Sequence, residues 1–368
     1  MVFTAVRTAA KPRAFGRTSK GDGTTRLHHQ RTDRWSPVRR DFTYSAFHLK
    51  LRSNLAIPGL VACESRVSFP SVRLHLGCRP AEPQGFGQEL IYTSAYLDDT
   101  GEPALRVWQM EGTGNLHLAY SNGMEFWIDR GGSQVWAVWP AESSLEDAAT
   151  YLLGPVLGAL LRIRGTACLH ASAVAWQGRA IAFVGPPGAG KSTTAAMLTN
   201  EGCALLSDDV LALKEHRGIL HVLPAYPFLC LWPESAALVC GSTQSLPRFV
   251  PAWEKRCLAV AGPLKLQTHM LPLAAVCVLS ERAEGCLPSA SRLPPQTALA
   301  ALLANSYGAR MLLSEMRARE FRVLTHLVCS TPIWSVRVPG AANKIASLLG
   351  MVVGWQEGAR LASARRAS

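Results

Sequence analysis

The run "AIAFVGPPGAGKSTTAAMLTNE" (180–201) constrains the architecture of this chain more than any other stretch. Five apolar residues (180–184) read as a buried strand, "GPPGAGKS" (185–192) fits G-x-x-x-x-G-K-[ST] in full, and a helix-forming run starts at Lys191. A strand that feeds a glycine-rich loop and then a helix belongs in a sheet with helices packed on it. Each loop position has a physical duty. Gly185, Gly188 and Gly190 allow positive φ and close approach of the backbone to an anion. Successive amides, with Pro186, Pro187 and Ala189 between them, then face inward as a nest backed by the positive end of the helix that begins Lys191, Ser192, Thr193. Lys191 offers a point charge to β- and γ-phosphates, and Ser192 offers a hydroxyl to Mg²⁺. The loop predicts that nucleotide phosphates bind.

Seventeen residues beyond Lys191, after the strand-like run "CALLS" (203–207), stand Asp208 and Asp209. Neighbouring residues of a strand point to opposite faces, so the two acids divide their work. One faces the γ-phosphate, while the other fixes the strand end or a metal-bound water. Fifteen residues before Gly185, in "CLHASAV", stands His170. If its run lies beside the others, the imidazole sits next to the Asp pair and tunes it.

Charge and composition narrow the remaining classes. Of the formal net charge of +12, residues 1–40 carry +8, with ten basic residues against two acidic ones. The rest is only mildly basic, so no specific nucleic-acid face is expected. Residues 1–41, rich in Arg, Ser, Thr and Gly, read as a disordered basic extension. The ten cysteines are scattered and form no C-x-x-C pair, which suits buried thiols in a reducing cytoplasm. His216 and His221 lack further ligands and read as a surface loop rather than a metal site. The longest apolar run, "YLLGPVLGALLRI" (151–163), is too short to span a bilayer and reads as a buried helix.

From residue 42 the pattern has period two, as in "SVRLHLG" (71–77), and turn signals recur in "DDTGEP", "GTGNL", Asn122-Gly123 and Gly131-Gly132. Residues 42–142 therefore read as a small antiparallel β-rich domain. Ser144 is a candidate N-cap, with Glu146 and Asp147 at the positive end of a helix. Strand-like and helix-like runs then alternate: "LAAVCVLS", "QTALAALLANS", "ARMLLSEMRAREFRVLTHLV", "IWSVRV" and "AANKIASLLGMVVGW". The expected fold is α/β, a P-loop mixed sheet with helices over 143–357, with a frayed tail at 358–368.

The stretch from His170 through the P-loop to "SDDVLAL" resembles the catalytic core of the HPr kinase/phosphorylase family. Further matches, "YLLGPVLGALLRIRG", "LCLWPESAAL" (229–238) and "ANSY" (304–307), look most like HPr kinase-like proteins associated with lasso-peptide biosynthesis. The resemblance implies a cytoplasmic, ATP- and Mg²⁺-dependent serine kinase acting on a peptide or small protein, with a homo-oligomeric assembly. It implies Asp208 as general base, His170 as the group that holds it, Asp209 as the second acid, and Ser192 with Asp209 as Mg²⁺ ligands. The Arg-Gly-Leu-Gly-type segment of true HPr kinases is absent, which speaks against HPr as substrate and against the reverse reaction. Lys255 and Arg256 are candidates for holding a second phosphate or a peptide carboxylate. Two further readings keep the loop: a nucleotide-gated switch without phosphoryl transfer, and a kinase or nucleotidyl transferase for a small molecule.

Overall fold

The computed structural model describes residues 41–62, 71–81, 87–242, 246, 248, 254–260, 264–280, 289–311 and 313–337. Most of the basic extension, the helix expected over 341–355 and the tail at 358–368 lie outside the described residues. No helix among those described is long and apolar enough to cross a membrane.

An eight-stranded sheet comes first, built from β1 (Phe42–Ala46), β2 (Leu49–Ser53), β3 (Ser71–Leu76), β4 (Gln88–Thr93), β5 (Leu105–Met110), β6 (Leu116–Tyr120), β7 (Glu125–Ile128) and β8 (Gln134–Val138). Its order is β1-β2-β3-β8-β7-β6-β5-β4. The alternation in β3 is realised: Val72, Leu74 and Leu76 are buried, and Arg73 and His75 face the other way. The turn at Asn122-Gly123 joins β6 to β7, with Gly123 at φ 82°. The expectation of a purely antiparallel domain is corrected, because β3 runs parallel to both β2 and β8. Residues 54–70 separate β2 from β3, long enough for a crossover where a tight turn would force antiparallel pairing. On the outer face, cross-strand neighbours stack: His75 on Trp136, and His117 between Trp108 and Trp127.

The apolar run 151–163 is helical and buried, as its composition requires, but not as one regular helix. After α1 (Leu145–Tyr151) the chain makes a π-helical turn over Leu152–Val156 and continues as α2 (Leu157–Ile163). Pro155 lies within that turn and has no N–H to give an α-helical ladder, a frequent reason for a local change of helical period. Ser144 caps α1 in a reciprocal capping box with Asp147. Leu152, Leu153, Val156, Leu157, Leu160 and Leu161 pack against the first sheet in one continuous core. That core runs on to Val210, Tyr226 and Tyr307, so it crosses the boundary expected near residue 142.

The second sheet holds the P-loop. Its strands are β9 (Ala167–Trp176), β10 (Arg179–Val184), β11 (Ala204–Ser207), β12 (Val210–His216), β13 (Ile219–Val222), β16 (Lys265–Leu266), β17 (Leu271–Leu279), β18 (Ser289–Arg292) and β19 (Ile333–Arg337). A separate pair, β14 (Phe228–Leu231) and β15 (Arg256–Ala259), lies apart from it in the pairing. Pairing is mixed: β10 is antiparallel to β9 and parallel to β17, which in turn is parallel to β19. Helix α3 (Lys191–Asn200) and α4 (Pro233–Cys240) cover one face, and α5 (Pro295–Ala304) and α6 (Ser314–Ser330) cover the other. The single helix expected over 309–328 is a 3₁₀ turn (Ala309–Met311) followed by α6. His216 and His221 flank the β12–β13 hairpin turn rather than occupying an irregular loop.

Candidate active site

Strand β10 ends at Val184 and α3 begins at Lys191, so residues 185–190 form the connection that the motif demands. Gly185, Gly188 and Gly190 all have positive φ, at 152°, 84° and 92°. At Gly185 the requirement is also steric, since a Cβ there would lie 2.7 Å from the carbonyl oxygen of Leu279. Pro186, Pro187 and Gly188 are exposed, while Ala189 is buried beneath them. The first turn of α3 leaves its amides without intrahelical acceptors. Lys191 is 7% exposed and donates from Nζ to the carbonyls of Gly185 (2.9 Å) and Pro186 (3.3 Å). Burial pulls this amine down to about 8, against the opposing pull of Asp209 and Asp208. Ser192 is half-buried at the loop mouth, and the Thr193 hydroxyl meets Ser235 of α4 at 2.9 Å.

The acids sit where β11 passes into β12. Past an irregularity between Leu205 and Ser207, the register with β9 runs from Ser207 with Ala173 to Val210 with His170, which sets the acids opposite Ser172 and Ala171. Asp209 lies at φ 64°, a left-handed conformation uncommon for a non-glycine residue and one that aspartate tolerates better than most. The turn sends the two carboxylates to different partners. Asp208 is 2% exposed and accepts from Ser172 Oγ (2.6 Å) and from the Cys230 amide (3.1 Å). The Asp209 side chain keeps 35% of its surface open; His170 Nδ1 lies 3.2 Å from its Oδ1, and Tyr307 donates to its Oδ2 at 3.0 Å. Partial burial alone would raise Asp209, but His170, Lys255 and the Tyr307 hydroxyl hold it well below the ordinary carboxylate range. Burial and the neighbouring Asp209 push Tyr307 well up, so its hydroxyl keeps the proton that it donates.

The structure thus brings together Lys191, Asp208, Asp209 and His170. The imidazole meets Asp209, whereas Asp208 takes its hydrogen bonds from Ser172 and Cys230. Lys255 is close enough to act electrostatically on Lys191 and Asp209, and its Nζ lies 5.4 Å from the centre of the Trp232 ring.

A segment far along the chain completes the site. Asn305 Oδ1 accepts from the Gly185 amide at 3.0 Å, and its carbonyl accepts from the His170 amide at 2.7 Å. Ser306 donates to Glu320, which pairs with Arg162 inside the protein; Arg162 also donates to Ser306 and to the Cys168 carbonyl. Tyr307 reaches Asp209. Three successive residues therefore tie the P-loop, the His strand and the outer acid to one buried ion pair. Ser172, Asn305, Tyr307, Arg162 and Glu320 were not assigned roles from sequence. Asn305 and Tyr307 lie in the "ANSY" match, Arg162 in "YLLGPVLGALLRIRG" and Ser172 in the stretch after His170. Glu320 had no signal, because an Arg–Glu pair joined across 158 positions leaves no local pattern.

The residues fit a nucleotide's phosphate tail with Mg²⁺. The fit rests on the open first-turn amides, the Lys191 ammonium at the loop, and two carboxylates beside it. Among the described residues no group of three or more His, Cys, Asp or Glu side chains is placed to hold a metal ion. Mg²⁺ does not need one, because it is commonly held by one or two carboxylates together with substrate phosphates and water.

No family model matches the chain, and no curated protein matches it. Among solved structures it is similar to the Hpr(Ser) kinase/phosphatase from Coxiella burnetii, at 12% identity and a TM-score of 0.30, over 54% of this chain and 95% of that one.

Proposed function

We propose that this chain is a Mg²⁺-dependent ATP phosphotransferase acting on a serine hydroxyl of a peptide or small protein. The observation that carries the reading is the placement of Asp209, a half-buried carboxylate beside His170 and Tyr307, within electrostatic reach of the P-loop lysine. A lasso-peptide precursor is the specific acceptor suggested by the sequence resemblance.

Bound MgATP supplies the transferable phosphoryl group and the metal charge that offsets its oxygens. The loop amides and Lys191 orient the phosphates and neutralise charge that spreads outward during transfer. Ser192 and Asp208 are the candidates for the metal side. Asp208 is buried and anchored at both oxygens, which suits a fixed electrostatic post. Asp209 is the more accessible candidate for the base that takes the serine proton, with His170 and Tyr307 setting its orientation, although the same contacts lower its proton affinity. These roles are the reverse of those implied by the resemblance, and the contrast in exposure and partners supports the exchange.

The test is intact-mass analysis of serine-containing peptides incubated with the protein and MgATP, with a sugar and a nucleoside as competing acceptors. Gain of one phosphoryl group on a serine peptide supports the reading. Nucleotide binding with transfer only to the small molecules contradicts the peptide assignment, and binding without transfer to any acceptor favours a nucleotide switch.

A further inference from the structure

The pair β14–β15 places Cys230 directly opposite Cys257 in antiparallel register. Both are free thiols, both are half-buried, and both pack against the same core. Directly opposed residues on an antiparallel pair share a face, with Cβ atoms about 4.5–5.5 Å apart and Cα atoms within the range that a disulfide spans. One of the two is also wired to the acid pair, since the Cys230 amide donates to Asp208 Oδ2 at 3.1 Å.

We propose that Cys230 and Cys257 are an oxidisable dithiol whose bridging by a hydroperoxide detunes the phosphate site through Asp208. In the first step Cys257, which burial holds at about 11 and so leaves the more easily ionised of the two, attacks the peroxide O–O bond as its thiolate. The thiol proton joins the departing hydroxide, so with hydrogen peroxide one water leaves and a sulfenic acid forms. The second thiol then displaces that hydroxyl as water and the S–S bond closes. The dithiol gives up two electrons and two protons, and the peroxide is reduced to two waters. Closure brings the Cβ atoms to about 3.8 Å and so shifts the backbone at Cys230. At 3.1 Å the Cys230 amide is already near the long end of a hydrogen bond, so a shift of about half an ångström away from Asp208 breaks it. Asp208 then loses one of its two anchors, while Ser172 remains.

The effect on nucleotide rests on the function proposed above; the formation of the bridge does not. The experiment treats the full chain with hydrogen peroxide, blocks remaining thiols, and maps cross-linked peptides by mass spectrometry. In parallel, MgATP affinity is measured by titration before oxidation, after it, and after reduction with dithiothreitol. The expected result is a peptide pair joined through Cys230 and Cys257 that lacks two hydrogens, with MgATP affinity lowered about tenfold, the usual weight of a hydrogen bond to a charged group, and restored by reduction. Cys257→Ser should bind MgATP as the reduced protein does and should keep that affinity after peroxide. Peroxide treatment that yields no Cys230–Cys257 cross-link overturns the proposal, as does a bridged protein with unchanged affinity. If the reduced protein binds no MgATP at all, the functional reading fails instead, and the proposed detuning of the site falls with it.

Discussion

Replacing Gly158 by alanine separates packing from helix propensity at the point where α2 meets the site. In an ordinary helix interior, Gly→Ala gains about 1 kcal/mol. Here a Cβ would lie 2.6 Å from Cε1 and 2.7 Å from Cδ1 of Tyr307. Carbon atoms in contact settle near 3.5–4.0 Å, so the ring must retreat by about 1 Å. Tyr307 is 1% exposed, and the space beside it among the described residues is a small cavity that it lines with Leu118, Ala159 and Met316. Crowding of this kind costs about 1–3 kcal/mol, which outweighs or cancels the propensity gain. The expected net effect is a loss of about 1 kcal/mol, or a few degrees in Tm for a chain of this size. The same retreat pulls the tyrosine hydroxyl from its 3.0 Å contact with Asp209. A hydrogen bond to a charged group contributes about 1.5–3 kcal/mol, so turnover should fall at least about tenfold. Thermal denaturation followed by near-UV circular dichroism, together with initial rates on a serine peptide, reads both effects. Tyr307→Phe is the companion variant, because it removes the hydroxyl without crowding and should lower turnover with less effect on Tm. A Gly158→Ala protein with raised Tm and unimpaired turnover would refute the reasoning.

Two further outcomes follow from buried charge. Lys191 titrates near pH 8 in the folded protein, against 10.5 for an ordinary lysine. Between those values the unfolded chain binds a proton at Lys191 that the folded chain does not, a contribution that rises with pH, while buried cysteines and tyrosines held protonated in the fold pull the other way. Lys191→Met should therefore lose stability against denaturant more steeply with pH than the unaltered protein across that window. Nucleotide affinity should move the other way, weakening as the pH passes above 8 and the amine loses its charge, and titrations on either side of that pH read it. Glu320→Ala strands Arg162 in the interior and should cost about 3–5 kcal/mol in urea denaturation, whereas the double change Arg162→Met with Glu320→Leu should recover most of that loss.

What could be read from the chain, and what could not, follows from how local each feature is. The P-loop needs eight consecutive residues and one strand–helix junction, so its position, its three positive-φ glycines and the flanking elements were all legible. His170 and the acids became neighbours because β9 pairs with β10, β11 and β12 at once, an arrangement that the apolar runs suggested without stating the register. Which acid the imidazole would meet was not legible, because Asp209 leaves the strand geometry that the alternation argument assumed. Gly158 read only as an interruption of an apolar helix; its use as a slot for Tyr307 depends on a contact across 149 positions. The parallel placement of β3 was hidden for the same reason, since alternation reports which face a strand buries and not the direction of its neighbours.

Phosphoryl transfer to a serine peptide by Asp209→Asn, set beside Asp208→Asn and the unaltered protein, tests the central claim most directly. Both variants are checked first for MgATP binding by titration. The account predicts that Asp209→Asn retains MgATP binding and loses transfer by about 10²–10⁴-fold, because the serine proton has no acceptor. It predicts that Asp208→Asn weakens Mg²⁺-dependent nucleotide binding as well as transfer. An Asp209→Asn protein that transfers phosphate at the unaltered rate would contradict the account.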